Sequence, residues 1–413
     1  MKNKTLKKNF IWNSVGSFIY LFCQWLLTLL VIRLSDNLTN AGYLALALSI
    51  TNVFFNISCF NMRPYLVSDN TNEYTEYDYT TFRFITIILS LVLCVIYISF
   101  FGYNQSQFLC IVLYMIFKIG EAIVDLFHAF EQRKDRMDIG GISLLIRGLL
   151  SLISFYVGLR FTNNVNIAII IMIVTTYAFI LLYDLPNVLK FEKIKLKFNK
   201  KHITSLFIVL IPLAIGTILS TLSTAFPRQI LEKMHGSSIL GIYATIATPA
   251  VIVQVAATYI YNPLLTSFAK FRKEKDYKNT KSLFLKVILV IFLFAVLCTV
   301  GSIFLAKPIL NILYGSRIAK HAYLFMPVIV YTSLTGFLWF FHNLLVVFRR
   351  IKTLMIIELI AFIICVAASS LFIKLFYMNG VSYILMFITI IMIICMIFVL
   401  IQEIKKLNNK EAL

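Results

Sequence analysis

The sequence predicts an all-α integral membrane protein, with about twelve transmembrane helices arranged as two pseudo-symmetric six-helix lobes around a central cavity. Three observations carry this. Of 413 residues, 60% are hydrophobic and only 14% charged, a balance foreign to soluble domains. Apolar runs of the length needed to cross a bilayer, about 20 residues, recur along the whole chain. The excess of Lys and Arg, a net charge of +20, collects in short stretches between those runs, which signals loop topology rather than nucleic-acid binding.

The elements follow in order. Met1 to Asn9 is a basic start carrying Lys2, Lys4, Lys7 and Lys8. The run Phe10 to Ile32 is too long for a signal-peptide core and no small-residue cleavage site follows it, so it reads as a retained first span. Later spans are Ala41 to Phe60, Phe82 to Phe101, Phe108 to Phe130, Ile139 to Val157 and Val165 to Leu182. These complete a lobe over residues 1–189. A basic linker, residues 190–202, gathers Lys190, Lys193, Lys195, Lys197, Lys200 and Lys201. The second lobe, residues 203–404, holds Ile203 to Leu222, Ile239 to Leu264, Leu283 to Phe304, Tyr323 to Phe348, Met355 to Phe376 and Ser382 to Ile404. Residues 405–413 form a tail. Basic residues of the termini and alternate loops far outnumber those of the opposite loops, so both termini are expected in the cytoplasm.

One short match supports internal repetition. Gly42-Tyr43-Leu44-Ala45 opens the second span after Arg33, and Gly241-Ile242-Tyr243-Ala244 opens the eighth after Arg228. Six helices per repeat preserve orientation, which implies a pseudo-two-fold axis along the membrane normal.

The most informative stretch is Lys118 to Gln132, KIGEAIVDLFHAFEQ. At about 100° per residue, Glu121, Asp125, His128 and Gln132 fall within roughly 80° of Lys118. A charge in hydrocarbon costs from about 3 to well over 10 kcal/mol, so this stripe belongs in a bundle interior or an aqueous cavity. In the fifth span, Ser143, Arg147, Ser151 and Ser154 share one face, and the first carries Asn13, Ser14, Ser17 and Gln24. Pro212, Pro249 and Pro327 lie where kinks are expected. The seven cysteines all lie in apolar runs without metal-ligand spacing, so neither disulfide nor metal is expected. The Tyr-rich acidic loop Asp69 to Tyr79 reads as solvated, the 37 Phe as lipid-facing or core rather than a sugar platform, and His128 as an interfacial residue able to titrate.

Lys118-x-x-Glu121-Ala122-x-x-Asp125, with Gln132 and Arg136-Met137-Asp138 following, resembles the polysaccharide-exporter branch of the multidrug/oligosaccharidyl-lipid/polysaccharide (MOP) superfamily, the Wzx-type O-antigen and capsule flippases. Arg63-Pro64-Tyr65 with Ser68-Asp69, Asn262-Pro263, and Ile309 to Gly315 extend the resemblance over essentially the whole chain. The resemblance implies alternating access of two lobes that carries an undecaprenyl-pyrophosphate-linked oligosaccharide across a bacterial cytoplasmic membrane. It also implies partner polymerases and chain-length regulators besides membrane lipids. Arg147 and Lys118 are then expected to bind the pyrophosphate, with Arg33, Arg63 and Arg228 near the gates, since guanidinium forms a planar fork toward phosphate oxygens. Glu121 and Asp125 are the carboxylates to test for coupling to protons, sodium or membrane potential, and no cofactor is expected.

Other readings stand beside these. Lys118 with Glu121, and Arg147 with Asp125 or Glu358, also read as fixed ion pairs that hold helices together. Arg33, Arg63, Arg228 and Lys286 also read as interface anchors. An ion-coupled drug antiporter would share the fold, although the first span lacks an acidic residue in its apolar body. Peptidoglycan-precursor flippases have two additional helices, for which no length remains. A membrane-embedded polymerase would need acidic or arginine-rich outer loops, yet Phe226 to Ser238 and Ala306 to Ala322 contain only Glu232 as an acid. No phosphate-binding glycine loop is present, so enzymatic activity is not expected.

Overall fold

A computed structural model describes residues 2–69 and 73–407. Among the described residues the regular structure is all helical, without a β-strand. The first helices are α1 (Lys2–Leu34), α2 (Thr39–Cys59), α3 (Met62–Ser68), α4 (Glu76–Phe101), α5 (Gln105–Arg133) and α6 (Met137–Thr162). α7 (Val165–Phe179) runs through a π-helical segment, Ile180–Asp184, into α8 (Leu185–Val188). α9 (Lys200–His235), α10 (Ser237–Ala247), α11 (Val251–Tyr261) and α12 (Leu265–Lys273) follow. The remainder comprises α13 (Tyr277–Tyr314), α14 (Ser316–Ala319), α15 (Phe325–Val347), α16 (Ile351–Phe376) and α17 (Asn379–Lys406).

Among the described residues, eleven helical stretches are long and apolar enough to cross a membrane. The twelfth is α5. With 29 residues it is long enough to span, but Lys118, Glu121 and Asp125 remove it from the apolar class. The expectation of about twelve membrane helices therefore stands, and the outlier is the helix with the polar stripe. Residues such as Phe18, Phe100, Phe161, Leu182, Phe304 and Ile312 remain exposed, as a lipid-facing surface requires.

The chain divides into two compact units, Met1–Thr221 and Leu222–Leu413. Within the first, α1 packs on α6, α2 on α5, and α7 on both α5 and α6. Within the second, α11 and α17 pack on α15, and α16 on α17. In both units the second span therefore meets the fourth, and the sixth meets the fourth and fifth. The first core gathers Phe60, Phe82, Phe130 and Val188 around Ile203, Leu206 and Leu210 of α9. The second gathers Tyr261, Phe268, Phe284, Phe340 and Phe341.

Several local expectations change. The loop Asp69 to Tyr79 is not simply solvated: Tyr74 and Tyr79 are buried, and the Tyr79 hydroxyl donates to Asp69 at 2.9 Å. Asn70, Thr71 and Asn72 of that loop, and residues 408–413 of the tail, lie outside the described residues. α4 starts before Phe82 because Thr75 and Asp78 form a capping box, each accepting from the other's backbone N–H. Of the three prolines, only Pro249 coincides with a break, between Ala247 and Val251, whereas α9 continues through Pro212 and Pro327 occupies the first turn of α15.

Glycines bring α1 and α6 together. A Cβ at Gly16 would run into the Gly141 carbonyl, and one at Gly148 would lie 3.0 Å from the Tyr20 Cα. Small residues allow such backbone approach in membranes, where no hydrophobic force drives helices together. Gly16→Ala should therefore push α1 off α6, costing about 1–3 kcal/mol as an overpacked contact does. Thermal unfolding of the purified protein in detergent measures this, and an unchanged Tm would count against the close packing.

Candidate functional site

α5 begins on a second capping box, Asn104 with Gln107, and carries its polar face through the middle of the first unit. Its side chains do not act as one stripe, because each meets a different neighbouring helix. Glu121 accepts from Arg147 of α6 at 3.0 Å, with side-chain exposures of only 10% and 3%. The Tyr20 hydroxyl of α1 donates to the same carboxylate, and the Arg147 guanidinium lies 5.6 Å from the Tyr20 ring. Next to this pair, the Gln24 amide donates to the Ser151 hydroxyl at 3.1 Å.

One turn further, Asp125 receives two guanidinium groups. Arg63 of α3 donates at 3.2 Å and Arg83 of α4 at 2.8 Å. Arg63 also donates through Nε and Nη2 to the Gln132 side-chain oxygen at 3.2 and 3.0 Å, and Arg83 to the Ser58 carbonyl at 2.9 Å. The turn that places Arg63 uses two successive residues in the left-handed region, Phe60 (φ 47°) and Asn61 (φ 53°). Such conformations are costly for a bulky residue, and local packing must enforce them. Phe60 is held edge-on between Phe82 and Phe207.

Lys118 has no carboxylate partner. Among the described residues it makes no ion pair and no hydrogen bond. Its ammonium instead lies 5.1 Å from the Phe55 ring centre and 5.9 Å from that of Tyr114, in cation–π range. The expected Lys118–Glu121 pair is thus replaced by Arg147–Glu121, and Asp125 belongs to Arg63 and Arg83 rather than to Arg147. Glu358, the other partner considered for Arg147, lies in the second unit on α16. It is 3% exposed and 3.3 Å from His342 Nδ1. Four cations of the first unit, Lys118, Arg63, Arg83 and Arg147, thus have only Glu121 and Asp125 as ion-pair partners. The surplus charge is positive.

The remaining residues lie elsewhere. Arg33 is exposed at the end of α1. Arg228 belongs to the second unit, half-buried near Tyr243 and Tyr331, with its Nε unpartnered among the described residues. His128 is 6% exposed rather than interfacial, because α6 covers it at Gly140. Arg83 was missed. It is 0% exposed, yet its position beside Phe82 at an expected helix start gave it the look of a loop cation. The sequence signal for its burial was the Thr75-x-x-Asp78 cap, which moves the helix start upstream.

No family model matches the chain. A capsular polysaccharide biosynthesis protein, CapF, of Staphylococcus aureus is 27% identical over 319 residues, covering 76% of this chain and 78% of that protein. Among solved structures, the lipid II flippase MurJ in an inward closed conformation superposes with a TM-score of 0.75 at 14% identity, over 96% of this chain and 90% of that one. An inward-facing multidrug resistance MATE family transporter of the MOP superfamily superposes with a TM-score of 0.70 at 10% identity, over 98% and 100%. The chain shares the fold of these two transporters. The capsule-biosynthesis relative agrees with the resemblance read from the residues.

The ion pairs make a stability prediction. Removing one partner of a buried pair costs about 3–5 kcal/mol because the other charge is left bare. Arg147→Ala should lower the amount of folded protein in membranes, and adding Glu121→Gln should recover most of the loss. A double-mutant cycle on thermal unfolding reads this coupling, and additive effects would show that the pair is not energetically linked.

Proposed function

We propose that the chain is a flippase that carries a polyprenyl-pyrophosphate-linked oligosaccharide from the inner to the outer leaflet of a bacterial cytoplasmic membrane. The single observation carrying this reading is Lys118, a cation midway along a membrane-length helix with no carboxylate to neutralise it. Leaving such a charge unpaired is expensive unless a ligand completes it. Its chemistry suits a phosphate oxygen, and the aromatic rings of Phe55 and Tyr114 orient the ammonium without quenching its charge. Arg63, about one-third exposed and sharing Asp125 with Arg83, adds positive charge. Arg147 is scaffold in this reading, since it holds Glu121 away from Lys118.

The physics of the task fits. A pyrophosphate and hydrated sugars cannot cross about 30 Å of hydrocarbon unaided, whereas a polyprenyl tail stays in lipid while its head passes along a cationic, hydroxyl-lined route. The resemblance to a capsule biosynthesis protein and to a flippase of another lipid-linked saccharide supports this substrate class. A surface-polysaccharide polymerase and a chain-length regulator would then act on the product.

Lys118 supplies the test. A charge-assisted hydrogen bond contributes about 1.5–3 kcal/mol, so Lys118→Ala should cut transport roughly ten- to a hundredfold, with Lys118→Arg retaining more. The assay follows surface polymer and the pool of lipid-linked repeat units in a deletion strain complemented with each variant. Loss of polymer with accumulation of complete cytoplasm-facing repeat units is expected. Unchanged polymer in the deletion strain itself would overturn the substrate and favour an antiporter of the same fold.

A further inference from the structure

The two carboxylates that the sequence singles out for ion coupling, Glu121 and Asp125, are both engaged by guanidinium groups. The same unit buries two others that are not. Glu131, in the last turn of α5, and Asp184, at the end of the π-helical segment after α7, are each 1% exposed. Among the described residues, neither oxygen of either carboxyl has a hydrogen-bond partner. Two further buried polar groups adjoin them. His128, one turn before Glu131, is 6% exposed and its Nε2 has no partner. The Ser143 hydroxyl of α6 is fully buried and faces the Asp184 carboxyl.

The backbone explains why these groups share one place. A Cβ at Gly140 would lie 3.1 Å from His128 Cδ2 and 3.2 Å from Glu131 Oε2, so the missing side chain on α6 makes the room that both groups occupy. On the other side, the wide turns of Ile180–Asp184 rotate Tyr183 and Asp184 relative to a continuous α-helix, as π-helical insertions at functional sites commonly do. The charged groups around the cluster are already committed. Arg136 pairs with Asp138 at 2.9 Å, Arg63 with Asp125 and Gln132, and Arg147 with Glu121. Tyr183, Asp138 and Glu121 face the cluster as well, and none of them brings positive charge.

A bare carboxylate away from water costs several kcal/mol, and two close together repel each other. The species such a site tolerates is the neutral acid. We propose that Glu131 and Asp184, with His128 and Ser143, form a proton-binding site joining α5, α6 and α7. The pair holds its protons jointly rather than residue by residue. Deprotonation would place repelling charges between α5 and the π-helical segment, so proton release loosens the contact between those helices. The site is independent of what is carried: it stands whether or not the transported head group is a pyrophosphate.

Infrared difference spectroscopy on the purified full-length protein in lipid nanodiscs tests this directly. At neutral pH, where exposed carboxyls are ionised, the wild-type protein should show the C=O stretch of a neutral carboxylic acid that disappears at alkaline pH. Glu131→Gln and Asp184→Asn, which keep the volume and mimic the protonated form, should each weaken the band, and together they should abolish it. Glu192→Gln, at a pair with Lys134 outside the cluster, should leave the band unchanged. Absence of the band in the wild type, or its persistence in the double variant, would overturn the proposal. So would its removal by sodium but not choline at constant pH, because the site would then hold sodium instead.

Discussion

Charge in a medium of low dielectric is the constraint on which the first unit depends. Hydrocarbon cannot solvate a guanidinium or a carboxylate, so each must find its complement on another helix or be neutralised. Arg147 with Glu121 joins α6 to α5, and Arg83 and Arg63 with Asp125 join α4 and α3 to the same helix. α5 is thus the hub through which the unit is fixed. The glycine contacts of α1 with α6 then set the distance at which Tyr20 reaches Glu121. Helix packing and ion pairing are one arrangement here: close backbones make the pairs short, and short pairs hold helices that lipid would otherwise solvate equally well.

The groups left outside this pairing are the informative ones. Lys118 carries unneutralised positive charge against aromatic rings, and Glu131 and Asp184 carry carboxyls with no donor. The first suits an anionic ligand and the second a proton, and both lie on or against α5. One helix therefore bears, about three and a half turns apart, an anion-attracting group and an acid whose charge state sets its contact with the helix after it. The second unit repeats the packing of its spans, buries Glu358 beside His342, and holds Arg228 half-buried near Tyr243 and Tyr331.

How far the site could be read in advance depended on whether the signal was local. The periodicity of Lys118, Glu121 and Asp125 on an apolar run pointed to an interior polar helix, and that is where they lie. Their partners were not legible, because Lys118 and Glu121, though one turn apart on the same face, are drawn to different neighbours. Arg147 stands closer to Glu121 than any α5 cation does, and a guanidinium forms the stronger directional pair. Arg83 escaped notice because an arginine beside the start of an apolar run resembles a loop residue until its helix start is corrected. Tyr74 and Tyr79 looked solvated in an acidic loop but complete the core around Phe82. Glu131 looked like an ordinary residue at a helix end, and only Gly140 on α6 and the π-helical turns before Asp184 bury it.

The sequence by itself determined the class of the molecule: the approximate number of its membrane helices, the charged stripe on the fourth span and the family resemblance. Those properties follow from hydropathy and from spacing along the chain, which are local quantities. Tertiary structure alone decided which charges cancel and which remain. A pairing depends on distances between helices far apart in sequence, and the same residues in a different packing would leave a different cation free.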